Sequence, residues 1–144
     1  MFKHILVPTD GSDITAKAVD TAIDLARTLG ARLTTVSVKE PFPYSAISEM
    51  QPVPPQEFFD AQERIAAGRV KAVVDRATAA GLACTGSTVE ALHPWEAILD
   101  VAAKEGADLV VMASHGRRGM AALLLGSETQ RVLIHTKLPV LIVK

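Results

Sequence analysis

Met112-Ala113-Ser114-His115-Gly116-Arg117-Arg118-Gly119, followed closely by Leu125-Gly126-Ser127, is the stretch whose residue types and spacing carry chemistry. It follows an apolar run, Ala107 to Met112, that reads as the end of a buried strand. It precedes Glu128 to His135, which reads as a short helix. Glycines between a strand end and a helix start let backbone N–H groups approach an anion, and the helix N-terminus adds partial positive charge. A segment of this kind points to a nucleotide held through its phosphates. The bland alternatives are that Gly116 and Gly119 only permit a tight turn and that Ser127 only caps the helix. A cap and an anion compete for the same unpaired N–H groups, so Ser127 suits either role.

Other chemistry is thinly represented. The spacing of Gly116 and Gly126-Ser127 matches neither G-x-x-x-x-G-K-[ST] nor G-x-G-x-x-G, which sets aside the P-loop and the dinucleotide fingerprint. His4, His93, His115 and His135 are scattered with no accompanying cysteine set, so no metal centre is expected. His115 lies inside the loop, as a phosphate contact, an acid or a passive exposed residue. The single cysteine, Cys84, excludes an internal disulfide and reads as a small buried hydrophobe. No Ser-His-Asp order or nucleophile elbow is present. A dedicated enzyme is therefore not expected, and any ATP hydrolysis would be slow and incidental.

The elements that must position this loop follow from pattern. The 144 residues suit one domain, 1–144, and the core is built from Ala, Val, Leu and Ile, since 49% of the chain is hydrophobic but only 4% aromatic. A net charge of −1 gives no pull toward nucleic acid or membrane, and no apolar run reaches bilayer length. The opening Met1 to Pro8 runs straight into a turn instead of forming a signal segment, so a cytoplasmic protein is expected. Residues 3–8 read as a strand stopped by Pro8-Thr9-Asp10-Gly11-Ser12, in which Asp10 either meets a ligand or steadies the turn. Ile14, Ala18, Ala22, Leu25 and Leu29 then recur at helical spacing, capped by Ser12 or Asp13 and stopped by Gly30. Leu33 to Val38 reads as a second strand.

Glu40 to Pro55 breaks the rhythm with five prolines and reads as an irregular surface excursion, either a flap over a ligand or partner or a harmless insertion. Gln56 to Ala80 reads as a long helix with Phe59, Ala66, Val70, Val73 and Ala77 on one stripe, weakened at Gly68 and ended by Gly81. A third strand over 83–89 leads to His93-Pro94-Trp95-Glu96. There Pro94 suits a first helical position, and Trp95, Ile98, Leu99 and Ala102 form the buried face. A fourth strand over 108–112, the helix after Gly126 and a last strand, Val140 to Val143, complete the chain. This alternation predicts an α/β fold: an open, twisted, five-stranded parallel sheet with helices on both faces, ligands lying where the winding reverses.

The whole chain resembles the universal stress protein family. Ile5-Leu6-Val7-Pro8-Thr9-Asp10-Gly11-Ser12 looks like its first strand and turn. Val110 to Gly119 looks like its fourth strand and phosphate loop. Gly126-Ser127-Glu128-Thr129 and Leu138 to Lys144 look like its last helix start and terminal strand. The nucleotide-binding members carry Gly-x2-Gly-x9-Gly-Ser/Thr here, and Ala113 stands where the first of those glycines belongs. A methyl group is a small intrusion if that residue has ordinary negative φ and a costly one if φ is positive.

The resemblance implies the Rossmann-like strand order 3-2-1-4-5 of adenine nucleotide alpha hydrolases, and a stress-response regulatory protein that binds an adenine nucleotide, ATP, ADP or AMP. Any Mg²⁺ would arrive with the phosphates. Pro8, Thr9 and Asp10 would line the base and ribose, with Val38 meeting the adenine edge through its backbone. Met112 and Ala113 would pack near the sugar. Gly116, Gly126, Ser127, Glu128 and Thr129 would offer N–H or hydroxyl groups to phosphate, Arg117 adding charge. It further implies a homodimer paired through Val140, Leu141, Ile142 and Val143, and a downstream protein partner the sequence does not name. The alternative reading is a dimeric scaffold of the same fold without nucleotide.

Overall fold

Strands and helices alternate along the chain in a computed structural model that describes residues 1–41, 56–116 and 125–144. They are β1 (His4–Pro8), α1 (Asp13–Leu29), β2 (Arg32–Lys39), α2 (Gln56–Ala79), β3 (Cys84–Glu90), α3 (Pro94–Glu105), β4 (Leu109–Ala113), α4 (Ser127–His135) and β5 (Val140–Val143). Most of the Pro-rich excursion (42–55) and the segment 117–124, with Arg117, Arg118 and Gly119, lie outside the described residues.

The five strands form one parallel sheet in the order β3-β2-β1-β4-β5, as the resemblance implied. Alternate side chains of each strand feed two cores, because successive residues of a strand point to opposite faces. Ile5, Val7, Leu33 and Val111 pack under Ala18, Ala22 and Ala26 of α1 and Val73 and Ala77 of α2. Leu6, Val36, Val110 and Met112 pack under Ile98, Val101 and Ala102 of α3 and Val132 of α4. Small alanines let α1 lie close to the sheet. At Gly86 of β3 an added Cβ would collide with the Val70 side chain, so α2 sits as near the sheet as a glycine allows.

The helix ends follow their signals in part. Ser12 caps α1 by accepting the Thr15 N–H at 3.4 Å, and Gly30 ends it in the left-handed region at φ 66°. The expected apolar face of α3 packs on the sheet, its burial centred nearer Ala97 and Val101. Ala97, Ile98, Val101 and Ala102 are buried, whereas Trp95 and Leu99 are half-buried. Both pack against the core from its margin, and Trp95 also stacks on His135 of α4, with ring centroids 4.2 Å apart. On α2, Ala66, Val73 and Ala77 are buried while Phe59 and Val70 are only half-covered. Cys84 is likewise half-buried at the margin of one core, where desolvation pushes its thiol up to about 11.

The start of the sheet is tied down by Asp108, whose carboxylate accepts the backbone N–H groups of Lys3 (2.9 Å) and His4 (3.0 Å). Desolvation works against its charged form, but those donors outweigh it and hold the carboxyl below its ordinary range.

Candidate functional site

The winding of the sheet reverses between β1 and β4, so the loops leaving their carboxyl ends flank one crevice. On the β1 side, Pro8 closes the strand opposite Val36, and the Thr9 N–H makes the last rung by donating to the Val36 carbonyl at 2.9 Å. Thr9 is itself buried, and its hydroxyl accepts the Gly11 N–H. Asp10 is fixed by two donors to one oxygen, the Ser12 N–H at 2.9 Å and the Thr15 hydroxyl at 3.0 Å. Its other oxygen faces Gly116, lying 2.7 Å from where a Cβ on that glycine would stand. Asp10 therefore steadies the turn and also presents a carboxylate oxygen across the crevice. Thr15, which sequence reasoning did not single out, is the residue that aims it.

Val38 lies one step beyond that last rung. In a parallel strand successive residues turn both backbone polar groups to alternate neighbours. Val36 faces β1, Lys39 faces β3 through its carbonyl, and Val38 accordingly turns its N–H and C=O back toward β1, where that strand has already ended. A backbone donor and acceptor beside the crevice are suited to the edge of a planar heterocycle.

On the β4 side, Met112 and Ala113 are both buried, one in each core, so their side chains belong to the interior. Ala113 is a strand residue, and no described residue other than glycine has positive φ. Its methyl group is therefore unstrained where the family's pattern has glycine. Ser114 and His115 begin the loop, the Ser114 hydroxyl lying 3.2 Å from His115 Nδ1. Gly126 closes the loop by donating its N–H to the Ser114 carbonyl at 2.7 Å, and its missing Cβ leaves room for His115 Cα at 3.0 Å. Glycine is needed for close approach at both positions, at 116 to Asp10 of the facing loop and at 126 to the start of its own loop, both residues lying outside the left-handed region.

Gly126 is also the N-cap of α4, so Ser127 is the first helical residue and caps nothing with its exposed side chain. The Gly126 N–H, expected to meet phosphate, is committed to Ser114. The Thr129 hydroxyl is buried and donates to the Ala113 carbonyl at 2.9 Å. Glu128 reaches away to α3, accepting the Trp95 N–H at 2.8 Å and so capping that helix. What α4 leaves toward the crevice is the backbone N–H set of its first turn, at Ser127, Glu128 and Thr129, with the positive end of the helix behind it. Among the described residues no group of three or more His, Cys, Asp and Glu side chains is placed to hold a metal ion. None of the described helices is long and apolar enough to cross a membrane.

A residue from a distant element completes the rim. The Arg69 side chain of α2 lies across Gly11, its Nε 3.2 Å from the position a Cβ would take. Gly11 has φ +79° and so favours glycine in any case. No local spacing links positions 11 and 69, so their meeting is set by tertiary packing alone.

The whole chain, residues 1–144, matches the model of the universal stress protein family. It is 37% identical over 149 residues to a universal stress protein of Thermus aquaticus, with all of both chains covered. Among solved structures it resembles a protein from the universal stress protein family of Burkholderia pseudomallei, with TM-score 0.78, 29% identity and 98% and 95% of the two chains covered. It also resembles a universal stress protein solved in complex with cAMP, with TM-score 0.73, 29% identity and 99% and 97% covered.

Proposed function

The chain belongs to the universal stress protein family, and we propose that it binds an adenine nucleotide, ATP, ADP or AMP, in the crevice between β1 and β4 as a regulatory module. The observation that carries this reading is the pairing of Val38's outward backbone groups with the first-turn N–H groups of α4 on either side of Asp10. One end suits a base edge, the other an anion, and the carboxylate between them suits ribose hydroxyls. The related protein solved with cAMP supports the ligand class. Pro8 and Thr9 form the floor, Gly116 keeps the passage beside Asp10 open, and Ser127, Glu128 and Thr129 act through their backbone. Arg117, outside the described residues, would add charge to the phosphates, and any Mg²⁺ comes with them.

Thermal melts with ATP, ADP and AMP, with and without Mg²⁺, test this. A ligand at 100 times its Kd adds about 2.7 kcal/mol of stability. Ser127→Glu places a carboxylate on an exposed first-turn position and should abolish the shift without harming the fold. The close packing at Gly116 and Gly126 favours a second reading, a scaffold without nucleotide, since both glycines are required there even by an empty crevice. No shift with any nucleotide at millimolar concentration selects that reading.

β5 is an edge strand, and Leu141 is 39% exposed on it. We propose that two copies pair through this edge, Val140 to Val143, because an unblocked apolar edge favours strand addition.

A further inference from the structure

We propose that Arg69 of α2 forms the wall on which the purine lies, its guanidinium against the flat of the base. This rests on the nucleotide reading above. Two independent placements bring Arg69 there. The first is contact, since Cγ, Cδ and Nε all lie within 3.4 Å of the missing Cβ of Gly11, beside Asp10. The second is height. The helix ends at Ala79 near the start of the sheet, where Leu33 donates to the Ala83 carbonyl. Ten residues back along α2 is roughly 15 Å, about the rise of the five residues of β1. Arg69 thus stands level with the end of β1.

The side of approach selects the part of the ligand. α2 packs over β2 and β3, so Arg69 arrives from the flank where Val38 offers its backbone. The first turn of α4 lies on the opposite flank, beyond β1. Arg69 is half-buried, and its guanidinium is planar, permanently charged and weakly hydrated, which suits stacking on an aromatic face. Elsewhere along α2, Arg76 pairs with Asp20 of α1, and Glu63 accepts from Lys39 at 2.7 Å and from Thr88 at 3.1 Å, ties that hold the helix to its neighbours.

Binding isotherms for adenosine, AMP and ribose 5-phosphate decide the matter, comparing the wild type with Arg69→Met and Arg69→Lys. The expected result is that Arg69→Met weakens adenosine and AMP alike by about tenfold and leaves ribose 5-phosphate unchanged. Arg69→Lys, which keeps the stem and charge but not the plane, loses less and serves if the methionine variant does not fold. Weakened AMP with unchanged adenosine would make Arg69 a phosphate contact and overturn the inference. Unchanged binding of both in either variant would overturn it too. A wild-type protein that binds neither adenosine nor AMP defeats the nucleotide reading itself, and this inference with it.

Discussion

Asp10 illustrates how one side chain serves two elements. One oxygen organises the turn into α1, and the other abuts Gly116 of the facing loop. Gly116→Ala would place a methyl 2.7 Å from that oxygen and push the carboxylate off its two donors. The expected outcome is a melting point lowered by the equivalent of about 1 kcal/mol and, if Asp10 meets ribose, weaker nucleotide binding in titration calorimetry. Thr15→Val should reproduce the binding loss with less effect on the loop. The motif residues around this point were legible because they are contiguous. Their partners were not. Glu128 looked like a phosphate-loop residue, yet its carboxylate, in the first turn of α4, reaches across to the N-terminus of α3 and accepts the Trp95 N–H. Asp108 is the residue whose titration should be visible. Its carboxyl is held below the ordinary range in the folded chain, so its contribution is complete above the unfolded carboxylate's value of about 4. That contribution disappears as pH falls through the lower folded value. Asp108→Asn should flatten the acid limb of a plot of Tm against pH.

At the level of elements, α2 packs closely on β3 at Gly86. Gly86→Ala would drive a methyl into Val70, with Val74 and Thr35 also close, and should destabilise by about 2 kcal/mol in chemical denaturation. The helices were readable from the sequence because each buries one face, and the central strands because they are apolar on both. The exact face of α3 was not. Ile98 and Ala102 belong to both the expected and the observed face, while Trp95 and Leu99 lie at its margin, where Trp95 stacks on His135 of α4. Helix-on-helix contacts of this kind depend on the crossing of two elements, which periodicity within one of them does not encode.

For the whole molecule, the parallel order and the reversal between β1 and β4 were implied by alternation together with the resemblance to a family. Arg69's place on the rim required the assembled layers. The edge position of β5 leads to a separate test. Leu141 is partly exposed while Ile142 packs into a core, so Leu141→Glu is the cleaner probe of pairing. Sedimentation should show wild-type dimers and Leu141→Glu monomers. A variant that remains dimeric would put the contact elsewhere. The 24 residues of α2 are more than the strands beside it can cover, and its first fully buried side chain is Ala66. Its opening turns are tied to the sheet through the half-exposed Glu63 and not through buried side chains. Amide hydrogens over 59–65 should exchange with deuterium well before those over 73–79, making a single helix melt from one end like a wick.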